Sequence, residues 1–240
     1  MTRDFIKIHI LNDLNARVYL MGFRGIGQVG YLAIRYLVNK LDVKRVGLIE
    51  SLYTHPVVNV GFKEDLLYPL EIYEYKNLGI IRIEDIPLNN KGAYMVREII
   101  KWLSELDNSR LILIGGLVSS LRESEEDIAR IVYNSYWDKQ YLEEIPLKYA
   151  QDNVRILGPL AYALYFSEIY KLPALAILAY ANPETIVDPR GVYYALEALK
   201  RVIKIDIDTA EILRTAEELE KQMIKMAEEF DKRSWRNLYT

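Results

Sequence analysis

Four glycines, Gly22, Gly25, Gly27 and Gly30, separate an apolar run at residues 17–23 from a helical pattern that begins at about Gln28 and continues to Leu41. That arrangement leaves the chain few choices. A buried strand must turn sharply into a helix, and glycine is the residue that permits close backbone approach and positive φ. A strand that feeds a helix in this way is the opening unit of a parallel α/β sheet. The same loop, Gly25-Ile26-Gly27-Gln28-Val29-Gly30, also reads as G-x-G-x-x-G, with Glu50 at the end of the next apolar segment. Such spacing is the dinucleotide fingerprint: glycines for the turn and the pyrophosphate, an acid for the ribose hydroxyls. Two readings follow, a glycine loop that serves only the fold and an NAD(P)- or nucleoside-dependent enzyme built on Gly25–Gly30. Arg24 in the turn opposes the second, as does the lack of an obvious proton-transfer partner.

The rest of the chain repeats the alternation. Residues 44–50 and 110–115 read as further strands, the latter running into Gly115-Gly116, and residues 174–180 as another. Residues 66–75 and 78–84 alternate apolar and polar positions, as half-buried antiparallel strands do, with Pro69 marking an edge or a bulge. Helical patterns cover 91–106, 160–170 and 189–202, the last with Asp188 as its cap and Pro189 in its first turn. Residues 119–150 give no clear boundaries. The sum is a three-layer α/β fold, a mostly parallel sheet with helices on both faces. We divide the chain into an α/β domain at 1–205, a C-terminal helix at 206–233 and a binding tail at 234–240.

Composition removes most chemistry. The 240 residues contain no cysteine and only two histidines, His9 and His55, so thiol catalysis, disulfides and cysteine-ligated metals are excluded and a metal site is not expected. Thirty-one basic against 34 acidic residues give a net charge of -3, which argues against nucleic acid. The longest apolar runs, 111–118 and 174–181, are far short of the ~20 residues of a membrane span, so a cytoplasmic protein with no membrane partner is expected. Other candidate sites are thin. Glu123, Glu125, Glu126 and Asp127 have the spacing of a helix start. Ser119-Ser120 follow a glycine pair without the lysine of a P-loop, and Asp188 with Arg190 is explained by capping.

The C-terminal helix has a different pattern. After a capping-box-like Asp208 and Glu211, the residues Ile212, Ala216, Leu219, Met223, Met226 and Phe230 recur at alternating spacings of four and three. Glu217–Lys221, Glu228–Lys232 and Glu229–Arg233 are favourable i,i+4 pairs on the other side. The seam predicts packing either on the chain's own body or on a second subunit.

Several segments together resemble the proteasome assembly chaperone 2 family in its archaeal branch. They are the loop from Gly22 to Gly30, the strand Leu111-Ile112-Leu113-Ile114-Gly115-Gly116, the segment Leu172-Pro173-Ala174-Leu175-Ala176-Ile177-Leu178, and Asp188-Pro189-Arg190-Gly191 before a helix that leads to Ile205-Asp206-Ile207-Asp208. Arg24 stands where the family commonly has proline, and Gly158-Pro159-Leu160-Ala161 where it is richer in glycine. The resemblance implies a phosphorylase/hydrolase-like α/β fold, a non-enzymatic protein without a cofactor, and a glycine loop that belongs to the fold. It also gives meaning to the ending Leu238-Tyr239-Thr240, a hydrophobic–tyrosine–any-residue tail of the kind that enters pockets between α subunits of the proteasome ring. A carboxylate, a buried aliphatic and a tyrosine are sufficient chemistry for such an anchor. The implied partners are the proteasome α ring and further copies of the chain in a homo-oligomer, with a scaffold for another family member as an alternative.

Overall fold

The computed structural model describes residues 5–54, 58–60 and 66–222. The strands are β1 (Ile6–Ile10), β2 (Val18–Gly22), β3 (Lys44–Ser51), β4 (Asn59–Val60), β5 (Leu66–Leu67), β6 (Leu70–Tyr75), β7 (Leu78–Ile83), β8 (Arg110–Val118), β9 (Ala129–Tyr133), β10 (Lys148–Tyr149) and β11 (Ala174–Ala181). The helices are α1 (Val29–Lys40), α2 (Asn90–Ser104), α3 (Lys139–Glu143), α4 (Gly158–Ile169) and α5 (Pro189–Ile203), with α6 at 210–222. Nine strands form one sheet in the order β1-β3-β6-β7-β2-β8-β11-β9-β10, and β4 pairs with β5 beside it. The centre, β7-β2-β8-β11, is parallel, and antiparallel strands flank it on either side. The expected α/β sheet is therefore present.

Side-chain alternation along the central strands divides the interior into two layers. Tyr19, Met21, Leu111, Leu113, Ala176 and Leu178 face α2 and α4, where Met95, Ile99 and Ala163 meet them. Leu20, Ile112, Ile114, Leu175 and Ile177 face α1 and α5, against Ile34, Leu37, Ala195 and Leu199. Apolar residues at every position of β11 thus follow from helices covering both faces.

The segments read as half-buried antiparallel strands pair as expected, but they are buried far more deeply. Every residue of β7 is buried. The polar positions of the alternation are neutralised within the sheet: Glu71 lies opposite Arg82, and Arg82 donates to its carboxylate at 2.5 Å, Tyr73 at 2.9 Å and Arg45 at 3.1 Å. With Glu71 fully enclosed and Arg82 only 4% exposed, charge pairing has replaced exposure to water. Pro69 divides the first segment into β5 and β6, and its carbonyl accepts from the Glu84 amide at 2.8 Å.

Residues 119–150 contain β9, α3 and β10, and the two strands extend the sheet beyond β11. The acidic cluster does not begin a helix there. The chain passes from a short 3-10 turn, Ser119–Leu121, through a non-helical turn at 122–128 into β9. Asp127 is instead buried against Arg130 at 2.6 Å, and Glu123 reaches the same guanidinium at 2.7 Å. Arg130, followed by Gln151 and Lys148, holds the Glu123 carboxyl down at about 2.

Candidate functional site

The glycine loop closes on itself. A side chain on Gly22 would stand 2.2 Å from the Gly30 carbonyl oxygen, and one on Gly30 would stand 2.1 Å from that of Ile114. Strand β2, helix α1 and strand β8 meet here at distances that only a bare backbone allows. Gly27 has φ +55, with the Asp188 side chain 2.7 Å from where its Cβ would be. Tyr31 N, in the first turn of α1, donates to the Phe23 carbonyl at 3.1 Å, and Asp188 N donates at 3.0 Å to the carbonyl of Gly27 in the 3-10 turn before the helix. Arg24 covers the outside, its guanidinium 3.9 Å from the Tyr31 ring centre and bonded to the Glu84 carbonyl and to Gln28. Burial, then its bond to Glu84, raises the Tyr31 pKa, so the phenol stays protonated and donating.

Glu50, the other half of the dinucleotide pattern, is far away. It lies on β3, three strand positions from β2, about 14 Å at the usual strand spacing, and it accepts from His9 at 2.9 Å. In the fingerprint fold the acidic strand neighbours the glycine strand. The spacing along this sequence is the same, but β6 and β7 lie between the two strands.

Asp188 and Arg190 have separate tasks. Asp188 caps α5, one oxygen accepting from Gly191 N at 3.1 Å and the other from Asn182 N at 2.7 Å. Arg190 grips Glu220 on α6 through two bonds of 2.9 and 2.8 Å. That bond holds the Glu220 carboxyl below its ordinary pKa and raises that of Arg190. The start of α6 is held as well, by Tyr36, which donates to the Asp208 carbonyl at 2.9 Å, and by a Lys40–Glu211 pair. Of the seam, Ile212 packs partly buried against the α1–α5 layer and Ala216 is 1% exposed, while Leu219 is 40% exposed. Met223, Met226, Phe230, Leu238, Tyr239 and Thr240 lie outside the described residues, as does His55.

A second helix start is open. Chain leaving β2 enters α1 on one face of the sheet, whereas chain leaving β8 passes through β9, α3 and β10 before α4, on the other face, leads it back into β11. Where adjacent parallel strands diverge in this way, a crevice forms at their carboxyl ends, the usual place for a ligand in an open α/β sheet. A cavity of about 750 Å³ lies there, between Phe23–Ile26, the end of β8 and residues 151–160. Nothing in the apolar periodicity points to residues 151–157. The only cue is Gly158-Pro159, a proline at a helix start after the exposed Leu157. Among the described residues no three His, Asp or Glu side chains gather to hold a metal, and no helix is long and apolar enough to cross a membrane.

Comparison with known proteins agrees with this fold. An uncharacterised protein of Methanocaldococcus jannaschii is 24% identical over 234 residues, covering 94% of this chain and 88% of that one. The crystal structure of Pyrococcus furiosus PbaA, an archaeal homologue of proteasome-assembly chaperone, superposes with a TM-score of 0.74 at 21% identity, covering 95% of this chain and 98% of that one. That of P. furiosus PbaB, an archaeal proteasome activator, gives 0.73 at 18% identity over 92% and 98%. The sequence model of the PAC2 family matches residues 19–227, from the strand before the glycine loop to the end of the described helix and beyond, and the chain belongs to the PAC2 family.

Proposed function

We propose that this chain is a non-enzymatic proteasome assembly chaperone or proteasome-binding factor that docks on the α ring through Leu238-Tyr239-Thr240. The observation that carries the reading is the coincidence of PAC2 membership with this ending, alongside two archaeal structures of the same fold named for the proteasome. The closed glycine loop supports it, because Gly22, Gly27 and Gly30 are then required by the fold and need no cofactor, whereas a side chain on Gly25 would meet open space. A three-residue anchor buries little surface, so a single tail binds weakly and several tails presented by one homo-oligomer give useful affinity. Of the seam, Leu219, Met223, Met226 and Phe230 are the residues we assign to contacts between subunits, since Ile212 packs on the chain's own α1–α5 layer. Leu219, 40% exposed beside the buried Ala216, leaves apolar surface for such a contact. The protein then works in the cytoplasm, where its partner ring is assembled.

The test is capture of purified α rings by the intact chain and by a chain lacking Leu238–Thr240. The intact chain should retain rings and the shortened one should not, with mass and thermal stability equal for both. Equal retention would overturn the tail assignment.

A further inference from the structure

We infer that the outer face of α4 is a contact between two copies of this chain, which pack there antiparallel about a two-fold axis beside Ala161 and Tyr162. The inference rests on the homo-oligomer proposed above and names a surface for it apart from the α6 seam.

Helices α2 and α4 cover the same face of the sheet, but only α2 carries a charged outer side. Lys91, Arg97, Glu98 and Lys101 lie on the part of α2 turned away from the core, whereas α4 has a single charge, Glu168, in twelve residues. A helix that is apolar all round belongs in an interior. Yet among the described residues Tyr165 is left 62% and Ile169 50% exposed. At the helical period these two share the outer face with Gly158, Ala161 and Tyr162. The Tyr165 ring rests against Phe166 at 5.4 Å between centres, and Phe166 against Tyr162 at 6.4 Å, so the exposed aromatic is placed before any partner arrives.

Shape and charge select a second copy as the body that covers this face. Nothing stands within 4 Å of where a side chain on Gly158 would be, so Gly158 and Ala161 form an open notch two turns before the projecting Tyr165. An antiparallel pair seats Tyr165 of each copy in the notch of the other, and both contacts form at once, as an isologous interface requires. The ends match as well. Asp152 and Arg155 precede α4, Glu168 and Lys171 stand at its end, and Asp152, Arg155 and Lys171 are exposed and in no ion pair among the described residues. Glu168 accepts from the Ser135 amide at 3.0 Å and from its hydroxyl, which leaves its carboxylate in place to meet a cation. Antiparallel packing brings each of these ends to the other, so every charge finds one of opposite sign, with Arg155 at the negative end of the neighbouring helix. Helix face and charged ends amount to roughly 500 Å² per copy, or about 1,000 Å² per pair, the lower limit of a specific interface. This contact therefore acts together with another, such as the α6 seam.

The chain has no cysteine, so one introduced cysteine reports one contact. Residues beside a two-fold axis meet their own counterparts, within reach of a disulfide. The full chain with Ala161→Cys should be converted to a covalent pair by a mild oxidant at micromolar concentration, and the full chain with Glu184→Cys, an exposed loop position, should not. Adding Tyr165→Glu should weaken pairing about 10-fold or more, seen as loss of the cross-link and a lower mass in sedimentation, whereas Tyr165→Phe should keep both. Because Ala161→Cys leaves Tyr165 in place, a Tyr165→Glu chain that fails to fold does not remove the test. If Ala161→Cys cross-links no more than Glu184→Cys while the parent chain is an oligomer by mass, the inference is overturned and the homo-oligomer stands; this is also the result if residues 223–240 or another protein cover the face. A monomeric parent chain would overturn both. A cross-link that survives Tyr165→Glu undiminished would refute the packing of Tyr165 into the notch.

Discussion

Two helices begin on opposite sides of the same strand ends, and they begin in opposite ways. Helix α1 starts behind a glycine loop that its own chain seals: Phe23 accepts from its first turn, Arg24 lies over Tyr31, and Asp188 presses on Gly27. Helix α4 starts at Leu157 with no side-chain cap, beside the largest cavity described at these strand ends. The sequence advertises the first, through G-x-G-x-x-G, and is almost silent about the second. A glycine motif reports how near two backbones come, but what they approach can be a phosphate or simply the neighbouring strand.

The sharpest way to break this contrast is to place a methyl group in the sealed start. Gly30→Ala would set a carbon 2.1 Å from the Ile114 carbonyl oxygen, backbone against backbone, with no flexible side chain to yield. We expect a loss of about 3 kcal/mol or more in denaturant titration, or no folded protein. NAD(P) should give no heat of binding in the parent chain. A well-folded Gly30→Ala, or low-micromolar NAD(P) binding, would return the loop to the cofactor reading.

Removal of the cap that joins the loop to α5 comes next. Asp188→Ala deprives Gly191 N and Asn182 N of their acceptor, and a cap of this kind contributes about 1–2 kcal/mol. A fall in thermal midpoint without change of fold is expected. The open start should respond in the other direction. Leu157→Asp supplies the missing cap at an exposed, extended position, so stability should rise by about 1 kcal/mol. A decrease would mean that the leucine is held by contacts the open start lacks.

The smallest effect concerns α6. Glu220 has a carboxyl pKa lowered by Arg190, so its contribution is complete above the ordinary carboxylate range and is lost as the pH falls through its lowered folded value. The pair is half exposed, which limits it to about 0.2–1 kcal/mol. Glu220→Gln should remove that acid-dependent loss, seen as earlier hydrogen exchange in α6 at neutral pH and no further change on acidification.

Much of the fold was legible because it rests on periodicity. Strands β8 and β11 are continuous apolar runs, and α5 carries its cap and proline in sequence. The β6–β7 pair was legible as antiparallel but not as buried, since Glu71 and Arg82 look solvent-facing until their register places them opposite each other. The acidic run at 123–127 misled because Arg130, which satisfies it, lies on the strand that follows. Glu50 misled because strand order, unlike spacing, is not written locally. The crevice was illegible for the same reason: Gly25, Gly115 and Gln151 meet only when β2 and β8 lie side by side.

The most direct test of the proposed function extends the chain by a few residues after Thr240 and measures binding to purified α rings. The extension leaves the glycine loop, the crevice and α6 untouched and moves only the terminal carboxylate away from Tyr239. Binding should fall to the level of the chain lacking Leu238–Thr240. If the extended chain binds as tightly as the original, the ending Leu238-Tyr239-Thr240 is not the anchor and the proposed docking is wrong.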